Sequence, residues 1–200
     1  MFHPADLPST LPIFPLPGAL LLPRSQLPLH IFEPRYCEML AESLQTDSLI
    51  AMATLTGSEG FDKGNPPIAQ TVCIGRVVSH VERDDDRHNV LLVGIKRAQV
   101  VAEVDAGRSF RIGRVDVLED LYPPSGQGQR AGLRAELLTA FGKIVPATES
   151  VQQGLNELLA GAIELGPITD IISHALPLSV AMKLRLLAEA NVDGRARRLI

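Results

Sequence analysis

The sequence predicts an α+β protein in which a β-rich amino-terminal part, residues 1–122, precedes an α-helical carboxy-terminal part, residues 123–200. Three observations predict it. Eight of the fifteen prolines lie in the first 34 positions. Each fixes φ, removes a backbone donor and pushes its predecessor towards extended geometry, so the apolar run from Leu11 to Phe32 reads as strand and not helix. From Leu11 to about Leu121, one helix apart, short runs of Val, Ile and Leu alternate with turn residues, the signature of an antiparallel sheet or barrel. Beyond Gln129 apolar residues return every three or four positions.

The elements follow in order. After Glu33 the pattern becomes Tyr36, Leu40 and Leu44 with Cys37 alongside, a helical face, and Pro34 falls in the first turn where its missing N–H is tolerated. Thr56–Pro67, with three glycines and two prolines, reads as a long loop, either a lid or a disordered segment. Thr71–Val81 and Asn89–Val101 read as a hairpin around the charged tip Glu82–His88, which belongs in solvent and lacks the glycine of a calcium loop. Tyr122–Gln129 has the composition of a linker and marks the domain boundary.

The helical faces beyond it are Leu133, Leu137 and Phe141, then Val151, Leu155, Leu158 and Leu159, then Ile168, Ile171, Ile172 and Ala175. Pro167 is expected to open the third helix and Pro177 to close it. Ser179 is expected to cap Val180–Asn191, and Asp193 a last short helix. Arg195, Arg197 and Arg198 then sit where a helix dipole favours positive charge.

Composition narrows the function. A chain of 200 residues buries roughly 70 to 75 % of its unfolded surface and needs no staple. Aromatic residues are only 4% and Trp is absent, so aliphatic side chains must fill the core. A net charge of -4 gives no general attraction to a phosphate backbone, which makes nucleic acid a poor partner. Cys37 and Cys73 read as buried thiols, with a single bridge as the alternative, and a reducing cytoplasm is the expected location. No apolar run approaches the roughly 20 residues of a membrane helix, and no basic patch precedes an apolar run at the start, so neither membrane nor leader is expected.

No chemistry-bearing motif is present. The chain lacks Gly-x-Ser-x-Gly and His-Glu-x-x-His, and neither cysteine has an active-site context. A phosphate-cradling loop fails twice: Lys63 precedes Gly64, and Gly142-Lys143 is followed by Ile144. His80 and His88 are placed to face each other across the hairpin with no third ligand, so no metal and no cofactor are expected. Arg108, Phe110, Arg111 and Arg114 interleave base and ring on one strand, but Arg111 points away from the others and breaks a stacking strip.

The proline-apolar strand, LPLHIFEPRY and the helix, in that order, resemble the opening of the amino-terminal substrate-binding domain of the Lon protease family. CIGRVV, LLVGIKRAQVV, FRIGRVDVLED and LPLSVAMKLRLLAEANVDGRARRLI are similar to that family in order and spacing, so the resemblance covers most of the chain. It implies a PUA-like pseudo-barrel followed by a helical part, and a non-catalytic role in holding unfolded or flexible polypeptide segments. A separate protease or chaperone is the expected partner. The family's ATPase and serine-lysine peptidase domains have no counterpart in these 200 residues. Glu33, Arg35 and Tyr36 match the family motif position by position, and with His30, Phe32 and Phe61 they form the candidate peptide-binding set. Two roles stay open for the motif residues: satisfying groups at the helix start, or lining a groove in which Arg35 grips a peptide carbonyl or carboxylate. Two rival functions are RNA binding, since PUA-like architecture occurs in RNA-binding proteins, and an enzyme acting on a small molecule.

Overall fold

A computed structural model describes residues 7–57, 66–145, 153–154 and 163–200. The chain divides into two units, Met1–Leu118 and Glu119–Ile200. In the first, the proline-stiffened run gives strands β1 (Thr10–Leu16) and β2 (Gln26–Ile31). Helix α1 (Pro34–Leu44) follows, then β3 (Leu49–Thr54), β4 (Thr71–Glu82), β5 (His88–Val104) and β6 (Arg111–Leu118).

The sheet order is β2-β5-β4-β3-β1-β6, and a further pairing of β5 with β6 closes the last five strands into a ring. This is the pseudo-barrel the resemblance implies. One pair departs from the antiparallel expectation: β1 runs parallel to β3, with Ile13 opposite Ala51 and Leu16 opposite Thr54. The crossover from β1 to β3 passes through β2 and α1, a connection long enough for a parallel return.

Strand alternation fills the ring. Leu11 and Ile13, Leu49, Ala51 and Ala53, Val72 and Ile74, Ala98 and Val115 all point inward and are buried together. Helix α1 covers the opposite face of β1 and β3, with the Tyr36 ring 4.6 Å from that of Phe14. That cover explains why every residue of LIAMAT is buried.

The long strand β5 serves three neighbours. Its first half pairs with β2 and its second half with β6, while β4 runs along its other side. Between the halves lie Gly94 and its partner Gly75 at a register shift. A Cβ on Gly94 would overlap the Leu22 carbonyl oxygen, so only glycine lets the Leu22–Ser25 turn dock there.

In the second unit a 3-10 turn over Pro124–Gln129 runs into α2 (Arg130–Ile144), so the segment expected to be a linker is mostly ordered. Helices α3 (Leu165–Ala175), α4 (Val180–Ala188) and α5 (Val192–Leu199) follow. Ser179 caps α4 as expected, accepting from the Met182 N–H at 3.2 Å. Three expectations need correction. Helix α3 starts at Leu165 and not at Pro167, because the first helical turn tolerates the proline. Helix α4 ends at Ala188, and Asn191 caps α5 through the Gly194 N–H, leaving Asp193 to bind Arg130 at 2.8 Å. Arg195 is not a surface dipole partner: it is fully buried, donating to both Asp120 carboxylate oxygens at 2.8 and 3.0 Å and to Thr169 Oγ1 at 2.9 Å.

Leu137, Leu138, Ile168, Ile172, Val192 and Ala196 form the apolar core around that cation. The helical face at Val151–Leu159 and the centre of the Thr56–Pro67 loop lie outside the described residues. Among the described residues no helix is long and apolar enough to cross a membrane.

Candidate functional site

The distal half of the β4–β5 hairpin, with β2 beside it, presents two cross-strand rows on one face. Pro28, Leu91 and Ser79 form the first, and His30, Asn89 and Val81 the second. A shallow groove of about 440 Å³ lies over these six residues together with Leu29 and Val90. Its floor is mostly apolar: Val81 is 48% exposed beside Pro28 and Leu91. Phe32, 61% exposed, stands at the end of β2 with its ring 5.9 Å from the His30 imidazole.

Polar groups in the groove are few and oriented. With its amide nitrogen towards β2, Asn89 donates to His30 Nδ1 at 2.8 Å and its oxygen accepts from Arg83 Nε at 3.1 Å. This fixes the acceptor side of the imidazole and leaves Nε2 as the outward donor. The groove thus offers apolar side-chain contact with a donor at one end.

The edge of β2 is less inviting than its face. The Ser25 carbonyl accepts from the Gly94 N–H at 2.9 Å, one step beyond the Gln26–Val93 pair. Alternation from that bond turns the N–H groups of Leu27, Leu29 and Ile31 towards β5 and those of Gln26 and His30 outward, with donorless Pro28 between them. A strand added along this edge would meet a gap at its middle.

The motif residues sit at the handover from β2 to α1. Glu33 is the cap residue in extended geometry, and Pro34 takes the first helical position as the sequence predicts. The Glu33 carboxylate accepts from Arg35 Nη2 at 2.8 Å, and the Arg35 guanidinium lies 4.5 Å from the centre of the Tyr36 ring. Tyr36 is buried, with its hydroxyl 3.5 Å from the Pro15 carbonyl oxygen. Burial pushes that hydroxyl above the ordinary phenol range, against the lowering effect of Arg35. The geometry therefore gives Tyr36 a packing role and leaves Arg35 and Glu33 partly exposed. Phe61 lies outside the described residues.

Other expected features resolve plainly. Cys73 is buried and Cys37 only half-buried, and both are free thiols. Cys37 Sγ donates to the Asp86 carbonyl at 3.3 Å, and burial, helped by Asp86, raises its pKa. Arg108 and Phe110 precede β6 instead of lying in it. Arg108 pairs with Glu42 at 3.1 Å, while Arg111 binds Glu103 and the Pro66 carbonyl. These arginines are engaged by carboxylates, and Phe110 is buried, so they form no stacking strip for bases. Sequence reasoning named His30 and Phe32 but missed Val81, Leu91, Ser79 and Asn89. The available signal was period-two alternation along the hairpin beyond Gly75, where one face loses its cover.

A closed mixed ring with an appended strand, followed by a helical unit, defines the class: a Lon-type substrate-binding domain. The chain belongs to the family described as the ATP-dependent protease La (LON) substrate-binding domain, whose profile matches residues 10–200. It is 21% identical over 197 residues to Lon protease 2 of Myxococcus xanthus, covering 98% of this chain and 24% of that protein. It is 25% identical over 199 residues to the Lon protease of Roseiflexus castenholzii, again covering 24% of the relative. The chain thus spans about a quarter of the length of the curated relatives it matches. Two solved structures share the fold: the Lon N-terminal domain protein from Xanthomonas campestris (TM-score 0.67, 22% identity, 95% and 96% of the two chains covered) and the N-terminal domain of Mycobacterium avium complex Lon protease (TM-score 0.72, 15% identity, 96% of each).

Proposed function

We propose that this chain is a non-catalytic module that holds unfolded or flexible polypeptide segments on the β2–β5–β4 face and passes them to a separate protease or chaperone. The observation that carries this reading is the apolar floor of exposed Pro28 and Val81 with half-buried Leu91, ending at exposed Phe32. Family membership supports it, since a substrate-binding domain is defined by what it holds. Such binding is weak and sequence-tolerant, because the held segment loses its conformational freedom and gains only a few apolar contacts. His30 Nε2 supplies one directional bond to a backbone carbonyl.

The test is chemical-shift mapping of the labelled chain with a permanently unfolded test polypeptide. The expected result is perturbation at Val81, Leu91 and Phe32, weakened by Val81→Asp with unchanged thermal stability. Perturbation confined to the helical unit, or none at high concentration, overturns the proposal.

A further inference from the structure

On the face of the hairpin opposite the groove, His80 and His88 lie with Nε2 and Nδ1 2.9 Å apart and ring centroids 5.0 Å apart. They are diagonal neighbours: His80 pairs with Val90 and His88 with Glu82, so strand alternation also puts the Glu82 carboxylate on this face. We propose that these two imidazoles form an exposed two-point site for a late first-row divalent cation, with Cu²⁺ bound in preference to Ni²⁺ and Zn²⁺.

Three features support the assignment. Two metal–nitrogen bonds of about 2.1 Å at right angles span about 3.0 Å, close to the separation already present, so turning the rings without separating the nitrogens turns a hydrogen bond into a chelate. Neutral imidazole is a ligand of choice for these ions, and the copper preference follows from the general order of divalent stabilities. The tip beside the pair, Glu82–Arg87, carries four carboxylates and two guanidinium groups, a local excess that favours a cation. Among the described residues no three donors converge, so water or a donor from another molecule completes the shell. That open shell makes the site weak, and when filled it clamps the ends of β4 and β5 that the hairpin tip joins.

The test uses the full chain without a tag, titrated with Cu²⁺, Ni²⁺, Zn²⁺ or Mg²⁺ alone. The expected result is a melting temperature raised by Cu²⁺ and unmoved by Mg²⁺. His80→Asn and His88→Asn should each weaken Cu²⁺ uptake roughly tenfold or more, since loss of an outer-shell partner alone costs about that much. Because His80 is exposed and His88 is only half-buried, metal-free melting of His80→Asn should not change. Paramagnetic resonance of the Cu²⁺ form supplies an independent readout: coupling to two imidazole nitrogens is expected. Equal uptake by the doubly substituted chain, or coupling to one nitrogen only, overturns the proposal.

Discussion

The two units of this chain reach stability by opposite means. The β unit is an aliphatic ring whose polar groups are used up in strand pairing, and its inward residues are small or branched hydrocarbons. The helical unit is smaller and is organised around a guanidinium with no solvent exposure, held by Asp120, Thr169 and the Glu189 carbonyl, with Asp170 at 3.9 Å. A ring of strands satisfies its own backbone, and its interior holds nothing charged: the buried Arg97 of β5 points away from it, next to inward Ala98. Short helices leave carbonyls and loops to be gathered, and one fork of five donors gathers several at once. The difference teaches that a charge organises the helical core where hydrocarbon alone fills the ring.

The strongest break of that comparison is Arg195→Met. It takes the guanidinium away from the Asp120 and Asp170 carboxylates, and removing one partner of a buried pair costs about 3 to 5 kcal/mol. Thermal melting followed by far-UV circular dichroism should show early loss of helical signal with strand signal retained. A single unchanged transition would refute the keystone role. In the β unit the matching break is steric and not electrostatic: Gly94→Ala forces the Leu22–Ser25 turn off β5, at about 1 to 3 kcal/mol of overpacking. Denaturant titration should show the reduced stability without dependence on salt.

Alkaline titration sharpens the contrast. Burial above all pushes the Tyr122 hydroxyl up to about 12, with Glu164 and Asp120 adding to the rise against the Gly166 N–H. Its neutral form donates to Glu164 at 3.1 Å and accepts from the Gly166 N–H at 3.2 Å. An unfolded phenol titrates near 10, roughly, so this stabilisation is full below that pH and is lost as pH climbs towards the folded value. Helical signal should fall over that window, and Tyr122→Phe should start lower and flatten the fall. The smallest effect is expected at the motif: Arg35→Ala removes an exposed pair with Glu33, about 0 to 1 kcal/mol, so its melting temperature should hardly move. Lost polypeptide binding with that intact stability would give Arg35 a place in the groove.

What could be read from the sequence was what is local. Pro34 at the first helical position, the hairpin with its solvated tip, and Ser179 as a cap each depend on residues within a few positions, and each is present. The family was legible too, from a strand-to-helix handover that composition alone does not generate. The parallel β1–β3 pair was not, because local alternation is the same whichever way a neighbour runs. Arg195 was hidden for the same reason: its anchor, Asp120, lies 75 residues away, and an arginine in a basic helix end looks like any other. His30 and Phe32 were named from the motif, whereas Val81 and Leu91 became visible only when the register set them beside Pro28.

The seam between β1 and β6 joins residues about a hundred positions apart, Thr10 opposite Arg114. During synthesis it cannot form until Arg111–Arg114 have left the ribosome, so β1 waits with one neighbour for most of the time the β unit is being made. On that open side Pro15 withholds a donor that β1 would otherwise offer to a passing nascent chain, whereas Pro12 faces β3.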